Sequence, residues 1–255
     1  MEINYDHQME DLELTHKKIL IVDDEPDLLE IISSEFDLLG ANVYQANSVE
    51  KAILVLNNTS IDIVISDVRM PNKTGIDLLK FIKNKNIHSP LTILISGYTD
   101  VTMQDIYQLG AEGFLAKPFK LEDLIYSTSR LLKFNGQGWP VYRPSPAPEE
   151  LVQSMEKSFL EALESGVFSL GRGGCSLNLG HEHKEVLENE EKKFRLQFKD
   201  LSLTGSAWIR WQDYKPDSND QVIGLEFKTL DPESQNVIRH YLSHHEIISY
   251  IPCLK

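Results

Sequence analysis

Short apolar segments alternate with segments of helical periodicity through the first half of the chain. The short segments are rich in isoleucine, leucine and valine, which is typical of strands buried on both faces of a sheet. Strands are predicted over residues 19–22, 42–45, 61–65, 91–95 and 113–116. Helices are predicted after each strand, over residues 26–39, 50–56, 75–83, 100–109 and 121–132. Strands and helices that alternate in this way predict a parallel sheet covered by helices on both faces.

The periodicity changes in the second half of the chain. Residues 134–148 contain two glycines and four prolines, which excludes a helix or a central strand and predicts a linker. Helical spacing returns over residues 149–164, and the apolar face of this predicted helix favours packing on its own domain over dimerisation. Alternating segments over residues 167–227 predict the strands of a small sandwich or barrel, which is followed by a helix beginning at Pro232.

These patterns divide the chain into four parts. They are an acidic N-terminal tail over residues 1–16, an α/β domain over 17–133, a linker over 134–148, and a helix with a β-barrel domain over 149–255. A length of 255 residues agrees with two domains of ordinary size.

The charge balance excludes several classes of partner. Lys and Arg number 25 and Asp and Glu number 39, so the net charge is −14, and both halves of the chain are acidic. A basic surface for nucleic acid or anionic lipid is therefore not expected. No apolar run is long enough to span a bilayer, and the polar N-terminus is unlike a signal peptide, so no membrane insertion is expected. Cys175 and Cys253 are too few for a disulfide scaffold, and a cytoplasmic location is expected.

Polar residues follow the predicted strands at one edge of the sheet. Asp23 and Asp24 follow the first strand, Asp67 the third, Ser96 the fourth and Lys117 the fifth. Each residue alone has an ordinary explanation, as a helix-terminal charge, a cap or a solvated turn residue. Their joint placement at the carboxyl ends of the strands, where open α/β sheets bind ligands, favours a functional site.

The chemistry of these side chains indicates phosphoryl transfer. Neighbouring carboxylates repel one another unless a cation neutralises them, and ligands of this kind suit Mg²⁺. Lys117 adds a second positive charge. A metal ion and a lysine that face one carboxylate would offset the phosphoryl charge while Asp67 attacks in line. The Ser96 hydroxyl could donate to a phosphoryl oxygen.

The segments ILIVDDEPDLLEII, IDIVISDVRMPNKTGIDLL, LTILISGYTD and AEGFLAKPF resemble the receiver domain of a two-component response regulator. The resemblance covers residues 17–133 and implies a flavodoxin-like fold with strand order 2-1-3-4-5. It implies that Asp67 accepts the phosphoryl group and that Asp23, Asp24, Asp67 and the backbone carbonyl of Arg69 hold Mg²⁺. Lys117 would contact the phosphoryl group.

The same resemblance implies a switch and partners. Ser96 and Phe114 would be the switch pair, and the fourth helix, fifth strand and fifth helix the readout surface. A histidine kinase would be the phosphodonor, and the receiver would catalyse only its own phosphorylation and dephosphorylation. The resemblance also allows for a homodimer formed on phosphorylation.

The segments FSLGRGGCSL, SAWIRW, VIGLEF and TLDPESQNVIRHYL resemble a PilZ domain over residues 166–245. The best-known members of that family bind cyclic di-GMP. Their ligand motifs are Arg-x-x-x-Arg ahead of the barrel and Asp/Asn-x-Ser-x-x-Gly on an early strand.

This chain departs from both ligand motifs. Arg143 has no arginine four residues away on either side, and in the second motif Ser169 and Gly171 replace the expected residues while Gly174 is retained. Each lost charge-assisted bond costs about 1.5–3 kcal/mol. Binding of cyclic di-GMP is therefore doubtful, with Arg172 the residue best suited to support it.

The sequence predicts a response regulator whose degenerate PilZ-like domain acts through contacts with an unknown output protein. One alternative is a cyclic di-GMP receptor gated by phosphorylation of the receiver. Another is a phosphohydrolase with Asp67 as nucleophile, although Arg69 stands where that chemistry needs a carboxylate. A DNA-binding regulator is disfavoured by the acidic charge and by the lack of a helix-turn-helix pattern.

Overall fold

The computed structural model describes residues 14–97, 101–134, 139, 151–181, 190–215 and 217–254. The chain divides into two compact units. The first unit comprises Met1–Thr102 and Ala111–Gln137, and the second comprises Met103–Gly110 and Gly138–Lys255. Among the described residues, no helix is both long and apolar enough to cross a membrane.

The first unit contains a sheet and the helices that cover it. Its elements are β1 (Lys18–Val22), α1 (Pro26–Leu38), β2 (Asn42–Ala46), α2 (Val49–Asn58), β3 (Ile63–Asp67), α3 (Gly75–Lys85), β4 (Leu91–Ser96), β5 (Gly113–Ala116) and α5 (Leu121–Phe134). Helix α4 (Met103–Gln108) belongs to the second unit. The sheet is parallel with strand order β2-β1-β3-β4-β5, which confirms the predicted fold class.

Local sequence signals fix where the helices of the first unit begin. Pro26 occupies the first turn of α1, and the Ser48 hydroxyl accepts from the Lys51 backbone N–H at the start of α2. Thr74 and Asp77 form a reciprocal capping box that starts α3 shortly after β3.

Strands β1, β3 and β4 are buried along nearly their whole length, as their apolar sequences predict. On one face of the sheet, side chains from the strands, α2 and α3 form a continuous cluster. Its members include Leu20, Val64, Ala52, Leu78 and Ile82. Because this packing holds the strands rigidly, it fixes the positions of the residues at their carboxyl ends.

The second unit is built around a six-stranded mixed sheet. Its further elements are β6 (Leu151–Ser154), α6 (Phe159–Glu164), β7 (Phe168–Leu170), β8 (Gly174–Gly180), β9 (Glu191–Gln197), β10 (Ser202–Tyr214), β11 (Gln221–Leu230) and α7 (Pro232–His244). The strand order is β6-β9-β10-β11-β8-β7, with β6 parallel to β9 and the other pairs antiparallel. A strand-rich second domain that ends in a helix at Pro232 was predicted, and this prediction is confirmed.

The core of the second unit is rich in phenylalanine. Phe159 packs against Phe168, Phe198 and Tyr241 with ring centroids 5.4–5.9 Å apart. Because Phe159 lies on α6 and Tyr241 on α7, these contacts bind both helices to one face of the sheet.

The predicted helix over residues 149–164 is wrong in its first half. Leu151–Ser154 is strand β6, which pairs in parallel with β9, and only Phe159–Glu164 is helical. Ser158 and Glu161 form a capping box that starts the helix at Phe159. Leu151 is buried and Val152 is exposed, which is the alternation of an edge strand. The apolar residues of this segment fit both a helical and a strand periodicity, and the backbone pairing with β9 selects the strand.

Some predictions fall outside the described residues. They concern most of the acidic tail over 1–16 and most of the linker over 134–148, including Arg143.

Candidate phosphorylation site and glycine loop

The carboxyl ends of the parallel strands bring three charged side chains together. Asp23 directly follows β1, Asp67 ends β3, and Lys117 directly follows β5. The Lys117 Nζ lies 2.6 Å from Asp67 Oδ1, 3.6 Å from Asp23 Oδ2 and 3.8 Å from Glu25 Oε1. Asp23 is 2% exposed and Asp67 is 5% exposed, so one ammonium group offsets only part of the charge of two nearly buried carboxylates.

The Asp67 carboxylate is fixed at both oxygens. Oδ1 accepts from Lys117, and Oδ2 accepts from the Arg69 backbone N–H at 2.7 Å. The backbone of Asp67 lies directly against Gly75, because a Cβ on Gly75 would overlap the Asp67 carbonyl oxygen. Gly75 therefore allows α3 to begin directly against the end of β3. The result is a carboxylate with a defined orientation at a partly open edge of the sheet.

Burial and charge shift the pKa values of two of these groups in the same direction. Burial raises the pKa of Asp23 above its ordinary value, although the Glu25 backbone N–H and the Lys117 charge act against this. Burial lowers the pKa of Lys117, but its hydrogen bond to Asp67 and the charges of Asp67, Asp23 and Glu25 outweigh this effect, so the pKa is raised. Lys117 is therefore a permanent cation at neutral pH.

The predicted switch residues occupy neighbouring strands. Ser96 is almost fully buried at the end of β4, and its hydroxyl donates to the Gly97 carbonyl oxygen at 3.0 Å. Phe114 is half-buried on β5, where it is the register partner of Leu94. The hydroxyl of Ser96 thus faces its own backbone and not the Asp67 carboxylate.

The residues at this edge fit a magnesium ion. Mg²⁺ is commonly held by one or two carboxylates, with waters completing its octahedron. Asp23 and Asp67 supply such oxygens, and the backbone of Arg69 lies beside Asp67. Within the described ranges, no three His, Cys, Asp or Glu side chains are grouped to hold a metal ion, and Asp24 is not among the ion-pair partners of Lys117.

The other predicted candidates that the structure describes lie in the glycine loop between β7 and β8 or at the strand ends beside it. Ser169 pairs with Ser176 across the two strands, and the Gly171 N–H donates to the Gly174 carbonyl at 2.8 Å. A Cβ on Gly174 would overlap the Leu225 carbonyl oxygen, so this glycine is required by close strand packing.

Residues near the C-terminus cover this loop. The Arg172 and Gly173 N–H groups donate to the carbonyls of Ser249 and Tyr250 at 3.0 and 2.9 Å. A Cβ on Gly173 would overlap the Tyr250 ring, and one on Gly171 would lie 2.5 Å from the Tyr250 carbonyl oxygen. The glycines therefore make room for a segment of the same chain.

The Arg172 guanidinium is engaged within the second unit. Its Nη2 donates to the Gly110 carbonyl at 2.7 Å, and its Nε donates to the Ile248 carbonyl at 3.0 Å. The guanidinium lies 5.8 Å from the centre of the Tyr250 ring. Ile248 and Tyr250 were not predicted as partners of Arg172, although the apolar run IISYI after the closing helix is a signal that this segment packs on the domain.

Comparisons with known proteins agree with both resemblances. Residues 19–128 match the family model of the response regulator receiver domain, and residues 157–244 match that of the PilZ domain. The transcriptional regulatory protein CpxR of Klebsiella pneumoniae is 33% identical over 116 residues, which cover 46% of this chain and 49% of that protein. The response regulator SaeR of Staphylococcus aureus is 33% identical over 119 residues, which cover 47% of this chain and 51% of that protein.

Solved structures include similar receivers. The chemotaxis response regulator CheY4 of Vibrio cholerae is 28% identical, covers 46% of this chain and 99% of its own, and superposes with a TM-score of 0.43. The chain spans about half the length of the two curated relatives named above. Since each family model matches its own part of the sequence, the chain contains a response regulator receiver domain followed by a PilZ domain.

Proposed function

We propose that this chain is a two-component response regulator that accepts a phosphoryl group on Asp67 from a histidine kinase and signals through its PilZ domain by protein contacts. The observation that carries the proposal is the nearly buried Asp67 carboxylate, held 2.6 Å from Lys117 and beside Asp23 at the carboxyl edge of a parallel sheet. Receiver domains of this type occur in relatives named as response regulators.

The chain's own residues suit the transfer chemistry. An Asp67 oxygen forms the new P–O bond while the bond from phosphorus to the donor nitrogen breaks and its electron pair stays on that nitrogen. The Arg69 N–H and Lys117 fix the carboxylate before the reaction, so little reorganisation is needed. Lys117 carries the positive charge that offsets the incoming phosphoryl oxygens.

Asp23, Asp24, Asp67 and the Arg69 carbonyl are the groups that would hold magnesium. When bound, Mg²⁺ supplies charge neutralisation for the phosphoryl oxygens.

The switch is proposed to use Ser96 and Phe114. Once Asp67 carries a phosphoryl group, its oxygens offer the Ser96 hydroxyl a charged acceptor in place of the Gly97 carbonyl. A turn of that hydroxyl towards Asp67 leaves space for Phe114, which is only half-buried, to move inward. A local change in charge thereby biases two packing arrangements of β4 and β5.

The output is proposed to work without cyclic di-GMP. Two observations support this: the Arg172 guanidinium is already bonded to the Gly110 and Ile248 carbonyls, and the glycine loop is covered by Ser249 and Tyr250. A dinucleotide needs free guanidinium forks for its phosphates and guanines.

Phosphorylation is tested with acetyl phosphate in the presence of Mg²⁺. We expect the wild type to gain one phosphoryl group by intact mass and Asp67→Asn to gain none. Asp37→Asn, on the exposed side of α1, is the matched control and should behave as the wild type. Equal uptake by wild type and Asp67→Asn would refute the proposed acceptor.

Ligand binding is tested by calorimetry of the full chain with cyclic di-GMP. No heat of binding is expected up to about 100 μM ligand. A micromolar isotherm that disappears in Arg172→Ala would overturn the proposal for the output domain and leave that for the receiver intact.

A further inference from the structure

Helix α7 closes the second unit and has one face towards the sheet and one towards solvent. Ile238 is buried, and Tyr241 and Leu242 pack against the hydrophobic core of that unit. These contacts fix the helix backbone as far as its last turn. His240 and His244 are exposed and lie four residues apart. Residues at this spacing are neighbours on one face of a helix, so a fixed element presents both imidazoles together.

A contact with the backbone determines which ring nitrogen of His244 is available as a ligand. Its Nδ1 lies 2.8 Å from the His240 carbonyl oxygen, and the Ser243 hydroxyl donates to the same oxygen. A carbonyl oxygen only accepts, so Nδ1 carries the hydrogen and the lone pair of the neutral ring is on Nε2. Histidines that bind metals commonly donate their other ring N–H to a carbonyl, which orients the ring and makes the ligand nitrogen more basic. His244 therefore already makes the supporting hydrogen bond of a metal ligand.

The ring of His240 lies close enough to share an ion with His244. The two ring centroids are 4.5 Å apart, and the ring planes are inclined by 48°. Zinc–nitrogen bonds of about 2.0–2.1 Å place each ring centre about 3 Å from the metal, so tetrahedral geometry separates two such centres by about 5 Å. Small rotations of the two exposed side chains are enough to reach that separation. Two histidines at this spacing on one helix face are also the arrangement found in zinc-binding helices.

The charges around these two rings favour a cation. His244 is the last residue of α7, where the carbonyl groups of the final turn form the negative end of the helix. Glu246 follows two residues later and is exposed. Arg239 donates to Gln235, one turn towards the start of the helix, so its positive charge is directed away from the last turn.

A neighbouring histidine provides a natural comparison. His245 stacks on Tyr241 with ring centroids 4.1 Å apart, and its Nδ1 lies 2.9 Å from the Tyr241 carbonyl oxygen. Its hydrogen bond to the backbone is thus like that of His244, but its ring partner is a phenol. A protonated phenol is a poor metal ligand, so this pair offers only one ligand nitrogen.

We propose that His240 and His244 together bind one divalent transition-metal ion of the class that prefers imidazole: Zn²⁺, Ni²⁺ or Cu²⁺. Mg²⁺ prefers oxygen ligands, so the site differs in selectivity from the carboxylates around Asp67. No third His, Cys, Asp or Glu joins the pair in the part of the chain that the structure describes, and water completes the coordination. The bound ion links two successive turns and stabilises the end of α7. The site needs no phosphoryl group on Asp67, because both of its ligands belong to α7.

Calorimetry of the full chain with Zn²⁺ tests the shared site, with Mg²⁺ in excess to occupy the carboxylates of the first unit. His240→Ala and His244→Ala are each expected to weaken one zinc-binding event by at least about tenfold, because each leaves a single imidazole. His245→Ala is the matched control and should leave the affinity unchanged. All three side chains are exposed, and circular dichroism checks that each variant is folded.

Chemical labelling identifies the histidines that bind the ion. Diethyl pyrocarbonate modifies neutral imidazole nitrogens that are open to solvent, and peptide mass spectrometry assigns each modified residue. Zinc is expected to slow the labelling of both His240 and His244, but not that of His245. Zinc at ten times its dissociation constant should also lower the unfolding equilibrium constant of the second unit about elevenfold in the wild type. Tryptophan fluorescence measures this change, which should be absent in His240→Ala.

Each other outcome overturns the site. Labelling of His240 and His244 that is unaffected by zinc would show that neither ring binds the ion. A loss of affinity in only one of the two alanine variants would show a single ligand instead of a shared ion. An equal loss in His245→Ala would show that zinc binds to exposed histidines in general. Phosphoryl uptake by Asp67 is measured separately, so none of these results decides the proposed function.

Discussion

The buried ion pair between Lys83 and Glu112 allows a stability prediction with a defined magnitude. Lys83 Nζ lies 2.8 Å from both Glu112 oxygens, and the two side chains are 2% and 1% exposed. Lys83 also donates to the Pro90 carbonyl, and Glu112 accepts from the Thr92 N–H. Replacing Lys83 by Met leaves a buried carboxylate without its cation, so the free energy of unfolding of the first unit should fall by about 3–5 kcal/mol.

This pair also matters for the phosphorylation site. Glu112 immediately precedes β5, and its N–H donates to the Thr92 carbonyl, so the pair fixes the start of the strand that leads to Lys117. Lys83→Met is therefore expected to slow phosphoryl uptake as well as to destabilise the fold.

The distribution of tryptophan separates the two units in an unfolding experiment. The chain has three tryptophans, at positions 139, 208 and 211, so tryptophan fluorescence follows the second unit while circular dichroism follows both. At about 4 °C per kcal/mol, the thermal midpoint seen by circular dichroism should fall by about 12–20 °C in Lys83→Met. The midpoint seen by fluorescence should fall less.

Two variants test whether the loss of stability comes from the unpaired charge of Glu112. Lys83→Met/Glu112→Gln removes both charges but keeps an acceptor for Thr92, so most of the lost stability should return. Lys85→Met changes an exposed lysine on the same helix, whose partners within the described ranges are Asn57 and the Phe81 ring, and should cost less than about 1 kcal/mol. A cost below about 1 kcal/mol for Lys83→Met, or a double variant no more stable than the single one, would refute the assignment of a buried charge pair.

Two further predictions concern the phosphorylation site itself. The pKa of Asp23 is raised in the folded protein, so folding favours its protonated form. This stabilising contribution is fully present below the ordinary pKa of 3.8 and is lost as pH rises through the folded-state pKa. At pH 7 the buried charge of Asp23 therefore lowers the free energy of unfolding. Asp23→Asn should therefore raise the thermal midpoint at pH 7 but not at pH 3. The same variant should weaken Mg²⁺ binding in a titration by at least about tenfold. An unchanged thermal midpoint at pH 7 would contradict the conclusion that the buried Asp23 charge costs stability. Gly75→Ala, whose new Cβ overlaps the Asp67 carbonyl, should slow phosphoryl uptake by about a hundredfold in a time course with acetyl phosphate. Uptake at the wild-type rate would show that β3 and α3 can separate without moving the carboxylate.

The first unit could be predicted well because its determinants are local. Buried strands such as β3 have continuous apolar sequences, and the residue that follows or ends each strand is read directly from the chain. Parallel pairing then places those ends at one edge, which is why Asp23, Asp67 and Lys117 could be predicted to meet. The exact partner of each carboxylate oxygen, such as the Arg69 N–H, depends on the turn after β3 and required the structure.

The features that could not be predicted depend on contacts between residues far apart in sequence. Lys83 and Glu112 are 29 residues apart, and neither has a local signal that distinguishes a buried ion from a surface charge. The segment 149–164 contains apolar residues at spacings that suit a helix and also a strand, and only the pairing of β6 with β9 selects the strand. The grouping of α4 with residues near Tyr250 and Cys253 likewise depends on contacts between residues far apart in sequence.

Arg172 is relevant to both interpretations of the output domain, with and without binding of cyclic di-GMP. In the sequence it is the residue best suited to bind a dinucleotide, whereas in the structure its guanidinium serves the Gly110 and Ile248 carbonyls. The same fork cannot hold a phosphate and these carbonyls at once, so a dinucleotide would have to displace a partner that belongs to the same chain and is present at high effective concentration. Any residual dinucleotide affinity is therefore lowered by this competition within the chain. The absence of the ligand motif and the presence of Arg172 are then compatible, because the Arg172 guanidinium bonds the Gly110 and Ile248 carbonyls without any nucleotide.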